Sequence, residues 1–224
     1  MLIEIPELLN AAQLAKLREL LAGANYVDGR HSAGMAAARV KLNEELDLDP
    51  QKLQLLYRIV MSSVGHNAVF RSFALPNKVA DFIFARYQPG MRYGDHVDDP
   101  IMGGAGPKFR TDVSMTVFLN EPDTYEGGEL VIRTPFGDKQ VKLAAGSAVV
   151  YPSSSVHHVA DVTQGERLVA LTWMQSFVRN AAQRELLFEL DQAREYLLRN
   201  EPDTEHAKAV DRSYANLLRM WAEV

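Results

Sequence analysis

The chain has 224 residues, 47% of them hydrophobic and 24% charged, a balance that supports a sizeable core and argues against long disorder or a fibrous repeat. Its net charge of −5, from 24 basic and 29 acidic residues with no Lys/Arg cluster, offers no basic face to track phosphates, so nucleic acid is not an expected partner. Cysteine is absent, which excludes disulfides, thiolate metal sites and cysteine nucleophiles together and fits a reducing compartment.

The opening MLIEIPELLN carries no basic region followed by an apolar run, and no stretch approaches the roughly 20 apolar residues that span a bilayer. A cytoplasmic protein without a membrane partner is expected. Asn10 followed by Gln13 is a capping-box pattern, and Leu14, Leu17, Leu20 and Leu21 then recur at helical spacing until Gly23 supplies a stop. A second helix is predicted from Asp49, with Pro50 in its first turn and Leu53, Leu56, Ile59, Val60 and Val64 along one side. The Gly, Ser and Ala between these helices predict an irregular connection. From Val79 to Phe177 the sequence breaks into short β-favouring runs, VADFIFARY, DVSMTVFLN, GELVIRT, KQVKLAA, SAVVYP and RLVALTWMQSFV. Turn signals such as QPG, EPDTYEGG, PFGD and TQGE separate them. Many short strands without intervening helices predict an antiparallel barrel or a two-sheet jelly roll. After Asn180 and Gln183, another capping-box pattern, Leu186, Leu187, Leu190, Ala193 and Leu197 restore the helical period. Pro202 separates this helix from a last one bearing Val210, Tyr214, Leu217, Leu218 and Trp221. The apolar stripe of the last helix demands burial within the chain, or in a homo-oligomer through the C-terminal helices.

The stretch YGDHVDDP, residues 93 to 100, carries the first chemical signal. On an extended segment side chains alternate faces, so His96 and Asp98 project to one side and Val97 to the other. Two ligands hold a metal loosely, and the candidates for a third are His157 and His158 in SSSVHHVAD. Two imidazoles and one carboxylate form the facial arrangement of non-haem Fe(II) oxygenases; nitrogen and oxygen donors suit Fe(II) or Mn(II), and Zn(II) also binds such a set. Each motif alone is commonplace, since a histidine beside an aspartate is more often a hydrogen-bonded turn. Arg167 opens a largely apolar strand, and a guanidinium pointing inward there needs a carboxylate partner. A dicarboxylate cosubstrate would supply one, gripped by the planar fork; a protein Asp or Glu would serve equally. Asp95 and Asp99 flank the pair as orienting groups or as solvated carboxylates. Gly103, Gly104 and Gly106 predict a mobile loop over the mouth of the site.

Taken together, RYQPGMRYGDHVD, DVSMTVFLN, EGGEL, GSAVVYPSSSVHHV and ERLVALTW resemble the Fe(II)- and 2-oxoglutarate-dependent dioxygenases of the prolyl-4-hydroxylase type, and more narrowly the bacterial PKHD-type hydroxylases. The resemblance covers nearly the whole chain. It implies an α+β fold, a double-stranded β-helix (jelly roll, cupin-like) with flanking N- and C-terminal helices. The corresponding layout is a dioxygenase domain over 1–178, helical over 1–78 with the jelly-roll core over 79–178, and a C-terminal helical extension over 179–224. It implies Fe(II), 2-oxoglutarate and O2, with ascorbate as a further candidate. His96, Asp98 and His157 become the iron ligands, His157 rather than His158 because the family's basic residue follows its ligand by ten positions, as Arg167 follows His157. Arg167 is implied to bind the distal carboxylate of 2-oxoglutarate with Tyr87 beside it, and Trp173 to line the pocket. The implied reaction hydroxylates a small-molecule or peptidyl substrate with release of succinate and CO2. Asp98 fits hydroxylation, because related halogenases carry a small residue in its place to admit chloride. A metal-dependent hydrolase or isomerase on a cupin-like barrel, and a nonenzymatic iron sensor, are the competing readings.

Overall fold

The computed structural model describes residues 1–103 and 106–224. Its first part holds strand β1 (Ile3–Ile5), helix α1 (Ala11–Leu21), strands β2 (Asn25–Asp28), β3 (Lys41–Leu42) and β4 (Glu44–Asp47), and helices α2 (Pro50–Val64) and α3 (Ala68–Ala74). Strands β5 (Pro76–Val79), β6 (Ile83–Tyr87), β7 (Arg92–His96), β8 (Ile101–Met102), β9 (Phe109–Arg110) and β10 (Val113–Phe118) follow. Next come β11 (Tyr125–Gly127), β12 (Leu130–Thr134), β13 (Gly137–Val141), β14 (Ala148–Pro152), β15 (His157–Val159), β16 (Val162–Gly165) and β17 (Arg167–Ser176), then helices α4 (Ala181–Asn200) and α5 (Glu205–Trp221).

A large sheet runs in the order β1-β14-β10-β17-β6-β4-β2, with β5 also on β17, and a smaller one in the order β13-β12-β15-β7-β3. They face one another as an open jelly-roll sandwich that does not close into a barrel. Period-two alternation along β10 explains the layering. Val113, Met115 and Val117 pack with Leu14, Leu17, Leu56, Val60 and Phe70 of the helices, whereas Phe118 belongs to the cluster shared with Leu130, Ile132 and Val159 of the small sheet. Both faces of β10 are therefore covered, and the side chains that line the space between the sheets come from rigid central strands.

The local helix signals correspond to observed caps. Asn10 and Gln13 exchange both bonds of the capping box, at 2.9 and 3.0 Å, and Asp49 accepts from the first-turn amides of α2 behind Pro50. Asn180 caps α4 through the amides of Ala182 and Gln183, and only this half of the expected capping box is formed. The connection between α1 and α2 is not irregular: β3 pairs with β7, and β4 with β6, so the N-terminal part adds strands to both sheets. These strands are short and polar, and their pairing is set by tertiary neighbours rather than by propensity. α4 packs on α3, with Phe188 edge-on to Phe73 at 5.5 Å, and Arg194 ties α4 to α5 by bonding Asp191 and Asp211. Leu217, Leu218 and Trp221 are half-buried. Among the described residues no helix is long and apolar enough to cross a membrane.

Candidate active site

β7 and β15 lie side by side with His96 and His157 as direct partners, which sets the two imidazoles 4.2 Å apart between centroids. Asp98 lies two residues beyond the end of β7, and its Oδ1 is 3.9 Å from His157 Nε2. One ligand atom from each of His96, Asp98 and His157 falls within 4.8 Å of the others. The expected set therefore converges. His158, the other candidate, points to the opposite face of the strand and bonds Asp95 at 2.9 Å. Asp95 also pairs with Arg133, so it fastens the outside of the sheet and does not touch the cluster.

Hydrogen bonding fixes what each ligand presents. Nδ1 of His96 lies 2.8 Å from the Gly94 carbonyl, and Nδ1 of His157 lies 3.0 Å from that of Ser155. A carbonyl only accepts, so both Nδ1 atoms carry hydrogen and both Nε2 lone pairs are free for a metal. Tyr93 stacks on His96 at 3.6 Å and Tyr151 meets His157 edge-on at 5.2 Å, locking the ring planes. Asp98 accepts from Ser114 at Oδ2, leaving Oδ1 toward the histidines. Two imidazoles and a carboxylate, without thiolate, are a donor set that suits Fe(II).

Burial, and after it the neighbouring His157, push the His96 imidazole down to about 4. The unfolded chain would protonate this residue near pH 6.5. Between those values the folded metal-free protein binds fewer protons than the unfolded one, so this residue's contribution to stability is present above pH 6.5 and lost as pH falls toward 4. We expect imidazole NMR of the metal-free protein to show His96 still neutral at pH 5.5; a midpoint near 6.5 would contradict the burial argument.

Two adjoining cavities meet at this cluster, sharing Tyr87, Tyr93, His96, Asp98, Leu171 and Trp173 as lining. The inner one is lined by Arg167, which is 1% exposed and whose Nε and Nη1 have no hydrogen-bond partner. Among the described residues no carboxylate pairs with it. Its guanidinium lies 4.9 Å from the ring of Tyr87, its neighbour across the β6–β17 pair. A buried cation held against an aromatic face, with two free donors, offers the charge and the hydrogen bonds that a carboxylate would take up. Gly128 packs against the stem of this arginine: it sits at φ +67°, and a Cβ there would come to 3.0 Å from Arg167 Cδ and 2.9 Å from Val162 Cγ2. The outer cavity is walled by Ser32, Gly34, Val97, Asp99 and Met102, and Trp173 lines both. Of the expected gating loop, Gly104 lies outside the described residues. Its flanks pair as the β8–β9 hairpin, and Gly103 takes φ +124° beside the Pro107 carbonyl.

Sequence reasoning missed Tyr93, Ser114, Ser153 and Tyr151. Tyr93 was hidden by a bulge: His157 and Val159 of β15 oppose His96 and Tyr93, so two strand steps face three and the aromatic ring turns onto the histidine's side.

The fold and the convergent donor set fit an oxygenase of the 2-oxoglutarate–Fe(II) class, and the comparisons with known proteins show that class. Residues 82–175 match the model of the 2OG-Fe(II) oxygenase superfamily, and residues 182–223 that of the PKHD-type hydroxylase C-terminal domain. A prolyl-4-hydroxylase from Pseudomonas putida shares the fold with a TM-score of 0.50 at 21% identity, over 78% of this chain and 92% of that one. A prolyl hydroxylase from Trichoplax adhaerens does so at 0.53 and 14% identity, over 83% and 86%. A PKHD-type hydroxylase of Thioalkalivibrio sulfidiphilus is 54% identical over 224 residues, and one of Acaryochloris marina 46% over 223, each covering the whole of both chains. The chain belongs to the PKHD-type hydroxylase family, a family of oxidoreductases that use Fe(II), 2-oxoglutarate and O2.

Proposed function

We propose that His96, Asp98 and His157 hold Fe(II), that Arg167 with Tyr87 receives the distal carboxylate of 2-oxoglutarate, and that the protein hydroxylates a substrate entering through the outer cavity. The observation that carries this reading is the buried, anion-free Arg167 lining the same cavity as the three ligands. Metal-assisted hydrolysis or isomerisation does not of itself call for a buried anion site there, whereas a dicarboxylate cosubstrate does.

When bound, Fe(II) and 2-oxoglutarate supply O2 activation coupled to oxidative decarboxylation, so that one oxygen atom enters a substrate C–H bond and the other leaves in succinate. The protein's residues position and exclude. The Nε2 atoms of His96 and His157 and Oδ1 of Asp98 would be the three protein donors to the ion. Arg167 fixes the cosubstrate's length and direction by a two-pronged grip. Leu130, Val159 and Leu171 wall the inner cavity with apolar surface, which keeps bulk water from the reacting atoms. Ascorbate, as a reductant restoring Fe(II), and a cytoplasmic setting complete the proposal; the substrate is a small molecule or a peptidyl side chain.

Aerobic incubation with Fe(II) and 2-oxoglutarate should release succinate in step with O2 uptake, faster with a true substrate from a metabolite and peptide panel. Chelation should stop it, Fe(II) should restore it and Zn(II) should not. Substrate turnover with Zn(II) and without succinate would favour the hydrolase reading.

A further inference from the structure

Asp98 is the least supported of the three ligands by its backbone. Each histidine sits in the β7–β15 ladder, whereas Asp98 follows the end of β7 in a segment with no strand partner. Something else must hold its carboxylate. Its Oδ2 lies 2.6 Å from Ser114 Oγ, and Ser114 Oγ lies 2.7 Å from Ser153 Oγ. All three residues are buried, the two serines at 2% exposure.

The direction of this chain follows from its chemistry. An ionised carboxylate only accepts, so the Ser114 hydroxyl must point its hydrogen at Asp98. Its oxygen is then free to accept, and Ser153 must donate to it. Each bond polarises the next toward the carboxylate. Both serines stand on rigid ground. Ser114 is the second residue of β10, opposite Tyr151 and Trp173 in the neighbouring strands, and Ser153 follows β14 with its amide donating to the Asp112 carbonyl at 3.2 Å.

We propose that Ser114, backed by Ser153, is a positioning residue for the metal site. It occupies Oδ2 of Asp98 and so turns Oδ1 toward the histidines, which would make the carboxylate a one-oxygen ligand to the ion. Without the hydroxyl, Oδ2 is a buried acceptor with no partner, and the carboxylate turns to satisfy it on the metal or elsewhere.

This inference rests on the metal reading of His96, Asp98 and His157, and the test separates the two. The metal-free full-length protein is titrated with Co(II), scored by its ligand-field absorption, for wild type, Ser114→Ala, Ser114→Thr and Ser153→Ala, with thermal melts of the metal-free forms in parallel. Ser114→Ala should weaken Co(II) binding about 10- to 100-fold and change the absorption envelope. Ser114→Thr, which keeps the hydroxyl, should stay within about threefold of wild type, and Ser153→Ala should fall between, because Ser114 keeps its donor but loses the neighbour that polarises it. A merely structural hydroxyl would lower the melting temperature and leave Co(II) affinity and spectrum unchanged, which overturns the proposal; so does a threonine variant as weak as the alanine one. If Ser114→Ala does not fold, Ser153→Ala decides by the same criterion. Failure of wild type to bind Co(II) would instead remove the metal reading on which Ser114's part depends.

Discussion

Replacing Arg167 with alanine should lower kcat/KM for 2-oxoglutarate by about two to three orders of magnitude while leaving metal uptake at His96, Asp98 and His157 intact. The size follows from the type of contact: truncating one partner of a buried, hydrogen-bonded charge pair costs about 2–5 kcal/mol, much of it the cost of a carboxylate left in an apolar chamber. Arg167→Lys keeps the charge but loses the fork and should recover only part of the affinity. A second consequence separates binding from folding. In the protein without cosubstrate the guanidinium is a buried cation with two unsatisfied nitrogens, so Arg167→Met, apolar and of similar length, should stabilise the unliganded fold by about 1 kcal/mol or more. Succinate-release kinetics and thermal melts measure both effects. Unchanged 2-oxoglutarate kinetics in the alanine variant would remove the cosubstrate assignment and revive the hydrolase reading.

What the sequence disclosed and what it concealed divide along physical lines. Capping and turn chemistry are local, so Asn10, Asp49 and Asn180 were readable as helix starts. The two-sheet core was readable because its β-favouring runs are set off by strong turn signals. β2, β3 and β4 were not, since a short polar strand exists only by virtue of its partner, and α3 is too brief for a helical period to show. At the site, His96 and Asp98 announced themselves by spacing and Arg167 by the cost of an apolar neighbourhood. Tyr93 stayed hidden because the bulge breaks the period-two rule that found His96. Ser114 stayed hidden because a hydroxyl inside VSMTVF reads as one more buried strand position; only the approach of Asp98 from a distant segment gives it work. Spacing left His157 and His158 unresolved apart from the family resemblance, and strand alternation distinguishes their directions: His157 and Val159 turn inward, His158 outward.

That alternation yields the second large effect. His157→Ala removes an Nε2 donor from a buried cluster and should reduce succinate formation at least about a hundredfold, beyond what loss of a group merely supporting a ligand brings. His158→Ala, one residue away, removes only a partly exposed contact with Asp95, which Arg133 still holds. An exposed pair of this kind contributes about 1 kcal/mol or less, so turnover should stay within about fivefold of wild type. Co(II) titration of the same two variants locates the cause: the first should lose high-affinity uptake and the second keep it. The contrast is informative because the substitutions are chemically identical and adjacent, so a general disturbance of β15 would affect both alike. Equal losses would mean that the strand rather than the ligand is being tested, and a selective loss at His158 would require β15 to present its other face to the metal.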